Sequence, residues 1–318
     1  MEYVILLISL IGIVFGADYL VAGAVSIARK YRVSDFVIGA AIVGIGTSMP
    51  ELVVSVIGAI QGNADVAIGN VVGSNIFNVF GILGLTALLF PIAVDKENLK
   101  FEIPMCIGVS ILLTLLVFNF SVGTTPVITS ADGLILLLCF GLFMYYSFYR
   151  ERKKSGKSSG EVVTNERIDP LWLAIIKVVG GLTVLITCCD LFVDNAVLIA
   201  KYMGVDDAFI SLTLIACGTS LPELAASLAA AFKKKTQLAL GNVVGSNIFN
   251  ITWILGLASQ ITPLNSIGIT MTDYCVMILA AVAPLLFGFR GKIGRLSGAI
   301  MFGGFIAYTW YLVSVQLG

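Results

Sequence analysis

Apolar residues in this chain come in long runs, and short polar breaks divide them into ten segments. Their approximate cores are 3–22, 34–60, 66–90, 103–120, 130–149, 171–199, 207–231, 237–260, 272–289 and 296–316. Runs of this length cross roughly 30 Å of hydrocarbon as helices, and a helix pairs its own backbone amides where no water can. A membrane β-barrel needs strict apolar–polar alternation, which these runs lack. The pattern predicts an all-α polytopic membrane protein with ten transmembrane helices. The first run starts at Tyr3 with no basic stretch ahead of it and no clear cleavage site, so it reads as a permanent span rather than a signal peptide.

The charged residues add direction. Arg29, Lys30 and Arg32 follow the first span, and Lys96 and Lys100 the third. Arg150, Arg152, Lys153, Lys154, Lys157 and Arg167 follow the fifth. Lys233, Lys234 and Lys235 follow the seventh, and Arg290, Lys292 and Arg295 the ninth. That places 17 of the 19 basic residues on one face, leaving Lys201 on the other and Lys177 near an end of the sixth span. The positive-inside rule makes the basic face cytoplasmic, with both termini outside. One missed span would scramble this asymmetry. Residues 150–170 are charged, Ser/Gly-rich and aperiodic, and read as a cytoplasmic linker too short for a domain of its own.

Composition then narrows the classes. The chain is 58% hydrophobic and 12% charged, about half the charged share of a soluble domain. Its formal net charge is zero, so no basic surface points to nucleic acid. There is no histidine, which removes the commonest metal ligand and proton shuttle. Most of the six cysteines (Cys106, Cys139, Cys188, Cys189, Cys217 and Cys275) sit in apolar runs without metal-ligand spacing and read as small buried side chains. Nothing indicates a bound cofactor or an obligate protein partner beyond the bilayer itself.

The sequence also repeats itself. Gly69-Asn70-Val71-Val72-Gly73-Ser74-Asn75-Ile76-Phe77-Asn78 recurs letter for letter at Gly241–Asn250, an offset of 172 residues. At the same offset Gly46-Thr47-Ser48-Met49-Pro50-Glu51 answers Gly218-Thr219-Ser220-Leu221-Pro222-Glu223, Asp18 answers Asp190, and Asp35 answers Asp207. Each copy holds five spans. An odd number sends the second copy through the membrane upside down, the arrangement of many secondary transporters. The expected organisation is a first five-helix repeat over 1–149, the linker over 150–170, and a second five-helix repeat over 171–318.

Glu51 and Glu223 sit deep in apolar helices. A carboxylate there is costly and marks a functional site facing a polar cavity. Thr47 and Ser48 stand one turn before Glu51, as Thr219 and Ser220 do before Glu223. Pro50 lacks an N–H and crowds the carbonyl of Gly46, and Gly44 and Gly46 loosen the same turn. A kinked or interrupted helix is expected at each motif, with free carbonyls beside a carboxylate and two hydroxyls. Ser74 and Asn78, like Ser246 and Asn250, are spaced i, i+4. Gly69 and Gly73 would permit close packing on a neighbouring helix. Meeting about a pseudo-two-fold axis, the copies collect only hard oxygen ligands, a set suited to Ca²⁺ or Na⁺ and unsuited to Zn²⁺ or Cu⁺.

These two blocks resemble the alpha repeats of the calcium/cation antiporter superfamily, in particular its sodium/calcium exchanger branch. The resemblance covers roughly 18–85 and 190–257, carried by G-T-S-x-P-E and G-S-N-x-x-N. It implies a ten-helix antiporter, not an enzyme, that exchanges Na⁺ for Ca²⁺ electrogenically at one shared central site. By that resemblance Glu51 and Glu223 bind Ca²⁺ with the carbonyls of Thr47 and Thr219. Ser48, Ser74, Ser220 and Ser246, with the carbonyls of Gly44 and Ala216, would hold Na⁺, and Asn78 and Asn250 would complete the centre. Some relatives, including potassium-dependent exchangers, carry Asp where this chain has Asn250, which implies K⁺-independent transport here.

The alternative within the superfamily is a Ca²⁺/H⁺ exchanger, whose relatives usually show G-N-x-x-E where this chain has G-T-S-x-P-E. An intramembrane protease would need Ser–His or paired aspartates at its active site, and a passive channel would be slowed by two facing carboxylates. Other polar residues are open to two readings. Asp18, Asp190 and Asp194 either guide ions at an entrance or serve packing. Asp206 and Asp207 are expected to cap the seventh helix. The lysine run 233–235 is expected to anchor topology, and Trp172 and Trp310 fit an interfacial belt.

Overall fold

The computed structural model describes residues 2–118, 126–155, 169–203, 216–265 and 268–317. Its helices are α1 (Glu2–Tyr31), α2 (Asp35–Thr47), α3 (Met49–Ile60), α4 (Ala64–Leu89), α5 (Asn98–Val117) and α6 (Ser130–Ser155). After the connection come α7 (Leu171–Tyr202), α8 (Leu221–Phe232), α9 (Thr236–Ile261), α10 (Met271–Gly288) and α11 (Arg295–Leu317). Among the described residues eight helices are long and apolar enough to cross a membrane, and nine if the bent pair α2–α3 is one span. The seventh expected span, 207–231, is described only from Ala216 onward, and Asp206 and Asp207 lie outside the described residues.

Polar side chains begin the helices where the sequence supplies them. Asn63 accepts from Val66 N at 3.3 Å at the start of α4. At α10, Thr270 and Asp273 form a capping box, with Thr270 N donating to Asp273 Oδ2 at 2.7 Å. Tyr308 donates to the other oxygen of Asp273 at 2.7 Å, tying α11 to α10. The start of α2 uses a distant partner: Ser34 N donates to Glu151 Oε2 at 2.9 Å. Arg150 meets Glu102 at 3.2 Å and Glu97 at 3.6 Å. These contacts correct one expected boundary, since α6 continues through Ser155 and Arg150 and Glu151 are helical. Their charges are held by partners near the helix ends, so polarity alone did not end the helix.

Two antiparallel ladders of two residues each join distant connections. Strand β1 (Ile92–Ala93) pairs with β4 (Lys292–Ile293), and β2 (Val127–Ile128) pairs with β3 (Leu264–Asn265). The first ladder brings together the connections carrying Lys96, Arg290 and Lys292, whereas neither connection joined by the second has a Lys or Arg.

Burial sorts the helices into a core and a periphery. Of the most apolar 18-residue stretch of each span, 94% in α9 and 78% in α4 is buried, against 33% in α1, 28% in α6, 17% in α7 and 11% in α11. Helices α1 and α7 pack on each other along their length. A Cβ on Gly16 would stand 2.7 Å from Leu185 N and one on Gly181 2.6 Å from Leu20 N, so the two backbones touch. Their outer faces present Leu7, Ile11, Phe15, Trp172, Ile176 and Val179. The Lys177 ammonium and the Ser26 hydroxyl hold the Asp169 carboxyl below the usual carboxylate value, just before α7 begins.

Within the core, α2 presses against α9. A Cβ on Gly245 would collide with Ala40 Cα, and one on Gly241 with the carbonyl oxygen of Phe36. Among the described residues Gly69, expected to allow such packing, approaches only Ile269, and Gly73 has no neighbour within 4 Å. At the repeat offset the opposite numbers of Phe36 and Ala40 are Ala208 and Leu212, which lie outside the described residues. Substituting Gly245 by Val should therefore destabilise the protein by about 1–3 kcal/mol through overpacking. Thermal unfolding in detergent measures it, and an unchanged unfolding temperature would contradict this packing.

Candidate functional site

Both glutamates lie at the start of a helix that follows a break. Ser48 interrupts α2 and α3, which meet at 48°. Its backbone angles are φ −82°, ψ 11°, and Ser220 before α8 repeats them at φ −93°, ψ 8°. Pro50 and Pro222 stand in the first turn of the helices so begun. There a missing N–H costs nothing to the new helix but withdraws the i→i−4 donor from Gly46 and Gly218. Wide π turns flank the same region, over Gly39–Gly44, Phe77–Leu83 and Asn250–Ile254. Such turns concentrate at functional sites; the break follows from Pro50 and its glycines, whereas nothing in the residue spacing marks these turns.

The break places Glu51 and Glu223 at the centre, both fully buried. Each is gripped by the other half of the chain: Ser220 Oγ donates to Glu51 Oε1 at 2.8 Å, and Ser48 Oγ donates to Glu223 Oε1 at 2.8 Å. The remaining oxygens, Glu51 Oε2 and Glu223 Oε2, are buried without a hydrogen-bond partner among the described residues. Asn78 Oδ1 and Asn250 Oδ1 are in the same condition. Buried polar atoms are rarely left so, and these four oxygens stand amid hydroxyls and amides.

The other residues expected at the site gather here as well. Thr47 Oγ1 donates to Val43 O at 3.0 Å and reaches Asn242 Oδ1 at 3.3 Å. Ser246 Oγ lies 3.2 Å from Gly44 O, and a side chain on Gly44 would strike it. Ser74 Oγ accepts from Asn250 Nδ2 at 3.1 Å. Thr219 is half-buried after the short turn Ala216–Gly218, and for Ala216 only the backbone is described. Among the described residues no group of three or more His, Cys, Asp or Glu gathers.

Four asparagines and two serines enter the site that were not singled out beforehand. Asn70 Nδ2 donates to Glu51 O at 3.1 Å and Ser55 Oγ at 2.9 Å. Asn242 Nδ2 does the same for Glu223 O at 3.1 Å and Ser227 Oγ at 2.8 Å. Asn75 and Asn247 bond each other across the centre. Their signal was already present, because all four asparagines lie in the ten-residue identity. Asp190 and Asp194 are exposed on α7. Asp18 instead pairs with Lys233, Nζ to Oδ1 at 2.7 Å, while the same ammonium donates to Asp18 O at 2.8 Å.

Known proteins resemble the whole chain. It is 40% identical over 98% of its length to "Putative antiporter CaxA" of Alkalimonas amylolytica, covering 98% of that protein. It is 33% identical to "Sodium/calcium exchanger MaX1" of Methanosarcina acetivorans, over 96% of this chain and 97% of the other. A solved structure of the sodium-calcium exchanger NCX_Mj superposes with a TM-score of 0.83 at 32% identity, covering 98% of each chain. The family profile described as sodium/calcium exchanger protein matches residues 1–149 and 173–314. With an all-helical, multi-pass fold and full-length relatives, the chain belongs to the sodium/calcium exchanger protein family.

Proposed function

We propose that this antiporter exchanges Na⁺ for Ca²⁺ by alternating access at one central site, electrogenically and without K⁺. The observation that carries this reading is the reciprocal grip on the two glutamates. Each keeps one oxygen on a serine of the opposite half and turns the other toward buried space. Two ionised carboxylates out of water are costly without a compensating cation, and one Ca²⁺ balances them. Na⁺ at the same oxygens competes with Ca²⁺, so the site holds one cargo or the other. Glu51, Glu223 and the carbonyls of Thr47 and Thr219 are the proposed Ca²⁺ ligands. Ser48, Ser74, Ser220 and Ser246, with Gly44 O and Ala216 O, are the proposed Na⁺ ligands, and Asn78 and Asn250 line the centre. Asn250 adds no charge, which supports K⁺-independence.

The proposed frame is ten spans in two inverted five-helix repeats joined by a cytoplasmic linker, with both termini outside. The two strand ladders support that parity: one joins basic connections and the other joins connections without Lys or Arg. The packed pair α1 and α7 contributes no proposed ligand and is the proposed sliding element. ⁴⁵Ca²⁺ uptake into Na⁺-loaded proteoliposomes tests the exchange. Uptake is expected to require the outward Na⁺ gradient, respond to membrane potential and be unchanged by added K⁺. Uptake driven by a proton gradient without Na⁺ would favour the Ca²⁺/H⁺ alternative.

A further inference from the structure

Asn78 and Asn250 serve a cation only if their amides present oxygen rather than N–H₂ to the centre. What sets that choice lies one contact behind them. Asn75 Nδ2 donates to the backbone carbonyl of Asn247 at 3.2 Å, and Asn247 Nδ2 donates to that of Asn75 at 3.1 Å. A backbone carbonyl can only accept, so the N–H₂ end of each amide is fixed by its partner's main chain. The oxygen end must then point the other way. Asn247 Oδ1 accepts from Asn78 Nδ2 at 3.1 Å, and Asn75 Oδ1 accepts from Asn250 Nδ2 at 3.2 Å. With their N–H₂ groups engaged, Asn78 and Asn250 turn Oδ1 into the centre, where both oxygens are buried and lack a partner among the described residues.

We propose that Asn75 and Asn247 are positioning residues that make Asn78 and Asn250 acceptors toward the transported cation. This deepens the reading of the central site as a cation site and rests on it. Reversing Asn78 alone would face its oxygen to Asn247 Oδ1. Reversing Asn247 to accommodate it would face that oxygen to Asn75 O. Each reversal opposes two acceptors in a place where water cannot intervene, since all four side chains are buried. The polarity runs from two main-chain carbonyls, through the Asn75–Asn247 pair, to the two oxygens at the centre. It adds cation-facing oxygens without adding charge. A neutral, preset oxygen suits an ion that must also leave, because Ca²⁺ takes six to eight oxygens and loses affinity as they are removed.

The test is equilibrium ⁴⁵Ca²⁺ binding to purified protein, with a double-mutant cycle. Asn247→Leu is expected to weaken binding about tenfold, as loss of a residue orienting a metal ligand does, in a protein that still folds but unfolds at a lower temperature, because two buried partners lose their bond. Asn78→Ala should weaken binding by a similar factor, and the double variant by no more than Asn78→Ala alone. Asn75→Leu paired with Asn250→Ala should behave as the mirror image. Multiplying effects, or wild-type affinity in Asn247→Leu and Asn75→Leu, would overturn the proposal. So would failure to fold of both Leu variants and of Asn247→Ser and Asn75→Ser, because these residues would then hold the fold rather than orient ligands. A wild-type protein that binds no Ca²⁺ would instead overturn the reading of the site on which this rests.

Discussion

Glu51→Gln and Glu223→Gln are each expected to abolish Na⁺-driven Ca²⁺ uptake. Gln keeps the length and shape of the side chain, and the serine hydroxyl 2.8 Å away can still donate to its carbonyl oxygen. What disappears is one of two negative charges at a buried dication site. An attraction between charges at contact distance is worth about 4 kcal/mol in a protein environment, equivalent to a roughly 1000-fold loss of affinity. The N–H₂ of Gln would also face the cation, where the carboxylate had an unpaired oxygen. Thermal unfolding separates this effect from simple damage. Without Ca²⁺ the Gln variants should unfold at an equal or higher temperature than the wild type, because a buried charge has been removed. The rise produced by Ca²⁺ in the wild type should be absent. Uptake within a few-fold of wild type in either variant would defeat the two-carboxylate site.

Tying α1 to α8 should stop transport just as completely, for a mechanical reason. Asp18 on α1 and Lys233, at the end of α8, meet with Nζ 2.7 Å from Oδ1. Asp18→Cys/Lys233→Cys, in a chain whose six native cysteines are replaced by Ala, can be bridged by a cleavable bis-maleimide. If α1 and α7 slide past the core to switch access, the bridge blocks exchange and cleaving it restores transport. The pair itself is half-exposed, and ion pairs of that kind contribute only about 0–1 kcal/mol, so the unbridged double variant should retain most activity. A second bridge, from Gly12→Cys on α1 to Cys188 on α7 in a chain that keeps Cys188 and has the other five cysteines replaced by Ala, joins helices already in contact and should leave exchange intact. Full exchange with the Asp18→Cys/Lys233→Cys bridge closed would exclude sliding of α1 against α8.

Much of the candidate site was legible in one dimension. Glu51 and Glu223 stood out because carboxylates are expensive in apolar helices, and their duplication with Thr, Ser and Pro at fixed spacing marked the break that the structure places at Ser48. The cross-grip was not legible: spacing put Ser48 one turn before Glu51, yet Ser48 bonds Glu223. Nor could spacing reveal that Asn70 and Asn242 hold the backbone of the glutamates. The end of α6 was misplaced for a related reason. Arg150 and Glu151 look like the start of a linker until Glu97, Glu102 and Ser34 are seen beside them.

By itself the sequence determined that this protein lives in a bilayer, that its spans are helical, that two copies of one motif recur, and that hard oxygen donors accompany each acid. These follow from local quantities: hydropathy over a span, backbone amides that must be paired, and residue spacing along a helix. Only the tertiary structure decided which serine holds which glutamate, which end of each asparagine faces inward, and that Gly241 and Gly245 meet a backbone while Gly69 and Gly73 meet none that is described. Those are properties of pairs far apart in the chain. A donor or acceptor acquires its direction only when its partner is in place, and no spacing along one helix supplies that partner.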